Sequence, residues 1–312
     1  MLRKAENKVK IEGILSQVDL KYGSFVRKTD GATVENIGGS IKVLVEQNIN
    51  GEDIALEVPV YMFSTKLTKN GTINPAYEAI EKVMKEFVSI AACGSKEQAD
   101  KVRITAGEIK MNEFVGQKGT LVSQPRIHGN FVYKVTDKFT PEASFTLEFM
   151  VNKFYRAVDA EGVELDPPRL EVEAMVPQYT APNAAAPNVD AIKLVAVSPK
   201  VIDGVETYWE NLGCFKVSGR LNFSSRTEEV IQEVDFGEAA QTSTRTINVN
   251  ELIITGGSQA PLEGDFAFDY EEIKAGMAAR NARIEDMKSG KKSTAKQAPA
   301  QNSPKGTMEL GF

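Results

Sequence analysis

The sequence predicts a mainly β protein with a few helices: tandem OB-fold-like barrels, then a C-terminal helix and a disordered tail. Three observations carry that prediction. Apolar residues alternate with polar ones in short runs from about residue 8 to residue 255, the period of half-buried strands. In the first half these runs come as three strands, a helix and one or two further strands, the element order of an OB barrel. From residue 289 a segment of Lys, Ser, Ala, Gln and Pro shows no periodicity and has no apolar face to bury. The expected divisions are 1–138 for the first barrel, 139–265 for a second, elaborated barrel, 266–288 for the helix and 289–312 for the tail.

Residues 8–17 open the first barrel, with Val9, Ile11, Gly13 and Leu15 on one face and Gly13 marking a bend or bulge. The polar residues 29–40, with Gly38 and Gly39, read as a loop before a second strand at 41–46, and Asn50-Gly51 signals a hairpin. A third strand at 53–63 turns Ile54, Leu56, Val58, Val60 and Met62 inward and leaves Pro59, Tyr61 and Phe63 outside. Asn74 suits a helix N-cap, Pro75 its first position and Gly94 its end. Ile80, Val83, Met84 and Phe87 give that helix a buried face. Strand character returns at 101–105 and continues through Gly107, Ile109 and Met111.

Along 126–135, Ile127, Phe131, Tyr133 and Val135 read as inward and Arg126, His128, Asn130 and Lys134 as outward. Phe145, Leu147, Phe149 and Val151 line one face of the next strand. The same alternation would carry Lys153 and Tyr155 inward, so a bulge or a barrel rim is required there. Further strands are expected at 170–176, 191–197, 205–209, 214–223 and 246–255, with a flexible connection over 180–189. The lone Trp209 reads as a core anchor. Asp269 and Glu272 form a capping box for a helix reaching about residue 288, whose apolar stripe is Ile273, Met277, Ile284 and Met287.

Composition narrows the function classes. No apolar run approaches the roughly 20 residues of a membrane span, and the charged start lacks a signal segment, so a cytoplasmic protein is expected. Cys93 and Cys214 stand apart without neighbouring Cys or His, the pattern of reduced thiols without a zinc site. A net charge of -6 argues against coating duplex DNA by bulk charge but leaves room for a local basic groove. Catalysis finds no constellation: His128 is the one histidine and has no Ser or Cys motif beside it. No enzyme activity, cofactor or metal is expected.

Binding chemistry is better represented. Between residues 116 and 156, six basic residues face three acids, and seven aromatics are interleaved with them. Cations for phosphates and flat rings for bases are what a single-strand binder requires. The expected nucleic-acid contacts are Tyr61 and Phe63 on the third strand, Arg103 on the fourth, the row Arg126, His128 and Lys134, and the rim cluster Lys153, Phe154, Tyr155 and Arg156. Lys216 and Arg220, outward on a strand whose Phe215, Val217, Leu221 and Phe223 point in, and Arg226 beyond them, complete a phosphate track. The apolar tip Glu309, Leu310 and Phe312 on its leash reads as a partner-docking peptide.

With these parts placed, the chain resembles the single-stranded DNA-binding proteins of tailed bacteriophages. The likeness rests on the element order over 9–111, the run 250–258 with the charged helix behind it, and the tip Glu309-Leu310-Gly311-Phe312. Bacterial single-strand binders end in several acids and Pro-Phe; here Glu309 is the lone acid of the tip and Gly311 stands in the proline's place. The resemblance implies a sequence-independent cover for single-stranded DNA in phage replication or recombination, in the bacterial host cytoplasm. It also implies replication or recombination proteins met through the tip, and a possible homo-oligomer. Two other classes fit the β-rich pattern: a phage tail or capsid component, and an interaction module regulating a replication enzyme.

Overall fold

Strand pairing closes the first five long strands on themselves. The structure, a computed structural model, describes residues 2–49, 51–116, 119–232 and 241–289, and for 224–232 and 241–248 the backbone alone. Strands β1 (Asn7–Val26), β2 (Thr33–Ile49) and β3 (Glu52–Thr65) form an antiparallel meander. Helix α1 (Pro75–Glu86) and the short α2 (Ile90–Cys93) follow, then β4 (Lys101–Val115), β5 (Leu121–His128) and the two-residue β6 (Tyr133–Lys134). Strand β5 pairs antiparallel with β4 and parallel with β3, and β4 pairs antiparallel with β1. Three strands, a helix, then two strands that close the ring through one parallel pair is OB connectivity. The Asn74 side chain caps α1 by accepting from the Ala76 N–H at 3.1 Å.

Of the expected loop over 29–40, residues 29–32 turn as expected and 33–40 are instead the first half of β2. Its glycines lie in the ladder because the backbones approach there: Gly39 has a φ of 146° and pairs with Leu20, and a Cβ at Gly39 would collide with the Asp19 carbonyl.

The second half repeats the same connectivity. Strands β7 (Glu142–Arg156), β8 (Leu170–Pro177) and β9 (Val189–Ala196) form a meander, α3 (Pro199–Tyr208) follows, and β10 (Cys214–Gln232) and β11 (Gln241–Gly257) complete the set. Strand β11 pairs antiparallel with β10 and parallel with β9 at Ile253 and Val195, and β10 returns to β7. The strand expected at 205–209 is therefore a correction: these residues form the end of α3 and its cap, Trp209. Val205 and Thr207 have strand propensity, yet Pro199 starts a helix, and Ile202 and Val205 bury the same helical face. Trp209 is a core anchor, stacked 5.2 Å from Phe215 and donating from Nε1 to the Ser258 carbonyl at 2.9 Å.

The two barrels share a ladder. The first strand of each pairs with the other, from Asn7 opposite Leu147 to Glu12 opposite Glu142, and the whole forms an 11-stranded sheet. The expected irregularity in β7 is a register shift between Val151 and Lys153. Helix α4 (Tyr270–Lys288), capped by Asp269, lies along β9, β8 and β4 with Ile273 and Ile284 buried. From it Arg280 and Arg283 reach Glu113 of β4, whose side chain is only 3% exposed. No described helix is long and apolar enough to cross a membrane. The expected disordered tail beyond 289, with Glu309, Leu310 and Phe312, lies outside the described residues.

Candidate nucleic-acid interface

The parallel pairing of β3 with β5 builds a patch that no single strand contains. Register places Tyr61 beside His128, with ring centroids 5.9 Å apart, and places Lys110 of β4 opposite Arg126. The Arg126 guanidinium lies 4.3 Å above the Tyr61 ring, the geometry of a cation–π contact. Arg126 has no ion-pair partner among the described residues. Glu108, the carboxylate of this face, is shared by Lys4 and Lys110, so three cations (Lys4, Lys110, Arg126) meet one acid and two positive charges remain.

His128 is held neutral. Burial pushes its pKa down to about 4, and the nearby Lys110 and Arg126 push it the same way against Glu108. Phe63, two residues beyond Tyr61, is half-buried, and the Asn130 side chain grips its backbone, accepting from the N–H at 3.1 Å and donating to the carbonyl at 3.2 Å. Across β2, the small residues Ser40 and Gly38 pair with Tyr61 and Phe63. The patch thus combines a planar cation, a neutral imidazole and two aromatic rings on the strand 2–3 face of a closed barrel.

The phase expected for 131–135 is a second correction. Strand β5 ends at His128, and Gly129, whose N–H donates to the Tyr61 carbonyl at 3.1 Å, shifts the alternation by one. Val132 is buried instead, while Phe131 is 40% and Tyr133 57% exposed. These rings, with Phe87, Lys82 and Lys134, line a groove of about 490 Å3 beside α1. The missed signal was Gly129-Asn130 inside the run, a pair that breaks strands.

Most of the other expected contacts are held by other groups. Arg103 is held by Glu12 at 2.6 Å and by Asp137 at 3.1 Å, which raises its pKa further. Lys134 is bound to Asp100 at 2.7 Å and lies 4.9 Å from the centre of the Phe87 ring. Lys153 pairs with Glu173, the Tyr155 hydroxyl donates to Glu171 at 3.0 Å, and Arg156 makes two 2.7 Å bonds to Glu206 and a third to Glu164. Phe154 is packed against the core. Lys216 pairs with Glu6 at 2.6 Å. Arg220 is half-buried with its pKa lowered by desolvation, and the Arg226 side chain lies outside the described residues.

The strand 2–3 face of the second barrel differs accordingly. Glu171 accepts from Lys193 at 2.7 Å and Glu251 from Arg169 at 2.7 Å, so its charges neutralise one another. A cleft of about 660 Å3 above it is roofed by Met111 of β4 and by Met277 and Arg280 of α4.

Solved structures similar to this chain include two of one protein. One is the wild-type single-stranded DNA binding protein from Thermus aquaticus, at 9% identity and a TM-score of 0.48, over 84% of this chain and 96% of that one. A deletion mutant of the same protein matches at 10% identity and a TM-score of 0.44, over 84% and 97%. No curated protein matches the chain. A family model described as YorF matches residues 5–290, nearly the whole of the described fold, and the chain belongs to the YorF family.

Proposed function

We propose that this protein binds single-stranded DNA across the β2–β3–β5 face of its first barrel, largely without regard to sequence. The observation that supports this most directly is Arg126, a cation 4.3 Å over the Tyr61 ring, beside His128 and without an ion-pair partner among the described residues. Bases stack on the exposed parts of Tyr61 and Phe63, and Arg126 and Lys110 face phosphates. Stacking is sequence-tolerant because every base has a π-face. Of the thirteen nucleic-acid contacts expected from sequence, this reading keeps Tyr61, Phe63, Arg126 and His128 and adds Lys110. Covering single strands during phage DNA replication or recombination is the role we assign on that basis.

The test is a titration of labelled oligo-dT and of a duplex of equal length, followed by anisotropy. Tight binding to oligo-dT, weak duplex binding and an affinity that falls steeply with salt are expected. No oligo-dT binding at low salt would end this reading.

A further inference from the structure

We infer that the groove between α1 and the segment after β5 is a second base-stacking site, one that takes nucleotides continuing off the barrel face. This rests on the reading above and extends it. Three features point there.

First, the groove's aromatics are held outward by the fold. The phase shift at Gly129 buries Val132, and β6 pins the following residues by pairing Tyr133 with Arg103 and Lys134 with Val102. Phe131 and Tyr133 are therefore exposed side by side at positions set by the fold, and adjacent exposed rings mark a contact surface. Second, the charge suits a phosphate chain. Lys82 has no ion-pair partner among the described residues and lines the groove beside Glu86, whereas the groove's Lys134 is already paired with Asp100. Lys101, also without a described ion pair, lies nearby over the Phe139 ring at 4.8 Å.

Third, the groove is continuous with the proposed interface. The chain that carries Arg126 and His128 runs directly on to Phe131 and Tyr133. Tyr133 is five residues beyond His128, a span of at most about 18 Å. Asn130, between them, is the side chain that grips the Phe63 backbone. A strand leaving the Tyr61–Phe63 face over Asn130 meets Phe131 next. A protein ligand would also use rings and lysines, but a nucleic acid is favoured by this continuity and by Lys82 and Lys101, which have no described ion pair.

The experiment compares full-length wild type with Tyr133→Ala, Lys82→Ala and Arg126→Ala on oligo-dT of about five and about fifteen nucleotides, the lower and upper range for one OB fold. Both groove side chains are exposed or surface-facing, and thermal melts check that each variant is folded. Tyr133→Ala is expected to weaken the long oligomer about ten-fold and leave the short one unchanged, with Tyr133→Phe restoring most of the loss. Lys82→Ala is expected to lower the slope of log affinity against log salt by about 0.7 on the long oligomer. If Arg126→Ala weakens both lengths while the groove variants change neither, the groove is overturned and the proposed function stands. Equal loss on both lengths from Tyr133→Ala would overturn the extension by placing the groove inside the short footprint. Absence of binding by the wild type would remove both.

Discussion

Arg126 and Arg156 have the same side chain in comparable sequence settings, and the fold puts them to different uses. Arg126 lies over an aromatic ring with no ion pair among the described residues, whereas Arg156 is held by Glu206 and Glu164. Arg126→Ala is therefore expected to weaken oligo-dT binding about ten-fold or more, since it removes a phosphate contact and uncovers Tyr61. Arg156→Ala should leave affinity within about two-fold, because an arginine already saturated by carboxylates offers little to a phosphate. Anisotropy titrations of the two variants side by side decide it. His128 makes a pH prediction. Its folded pKa of about 4 lies below the ordinary 6.5, so the unfolded chain takes up the proton more readily between those values. Stability is thus lost as pH falls from about 6.5 toward 4. Melts of wild type and His128→Gln should diverge over that window, with the variant losing less. Equal acid sensitivity would show that the imidazole is not the titrating group.

Elements are set by what they pack on as much as by their own composition. Helix α4 contains Gly276, where glycine ordinarily costs a helix about 1 kcal/mol relative to alanine. Here a Cβ would stand 2.5 Å from Val189 Cγ2 and 2.9 Å from the Pro187 carbonyl. Gly276→Ala should therefore destabilise the protein by about 1–3 kcal/mol rather than stabilise it, as overpacking does. A lowered Tm checks the sign. The same principle explains α3. Its residues favour a strand by propensity, but the connection between the third and fourth strands of the second barrel must cross that barrel's end. A helix buries Ile202, Val205 and the Trp209 that follows it there.

Across the molecule, the two barrels are joined by the β1–β7 ladder and by a clamp beside it. Glu113 of the first barrel is enclosed by Arg280 and Arg283 of α4, and the Met111 N–H donates to the buried Asp190 of β9 at 3.3 Å. Burial drives the Asp190 carboxyl up to about 6. Removing one member of a buried ion network leaves unpaired charge behind, at a cost of about 3–5 kcal/mol. Glu113→Ala is expected to lower stability by that order and to separate the unfolding of the barrels, seen by calorimetry as a broadened or split transition. A single sharp transition at an unchanged Tm would show that the ladder alone couples them. The clamp also roofs the second barrel's strand 2–3 face.

Much of this architecture can be read from residue order. Alternation, the Asn74 and Asp269 caps and the strand–strand–strand–helix sequence are local signals, and they identify the first OB barrel, the bulge near Lys153 and α4. Tyr61 and Arg126 are visible too, as outward residues on alternating strands. Their meeting is not, because 65 residues separate them and the parallel β3–β5 register that stacks one on the other is a long-range pairing. Nor does alternation report which cations find a carboxylate: Arg103, Lys153, Arg156 and Lys216 are neutralised by acids brought from other strands and helices. A second barrel is expected from its recurring strands, but its helix is not, since the last residues of α3 read locally as a strand. A pattern specifies the two faces of a strand; the closure of the barrel determines which neighbours each face meets.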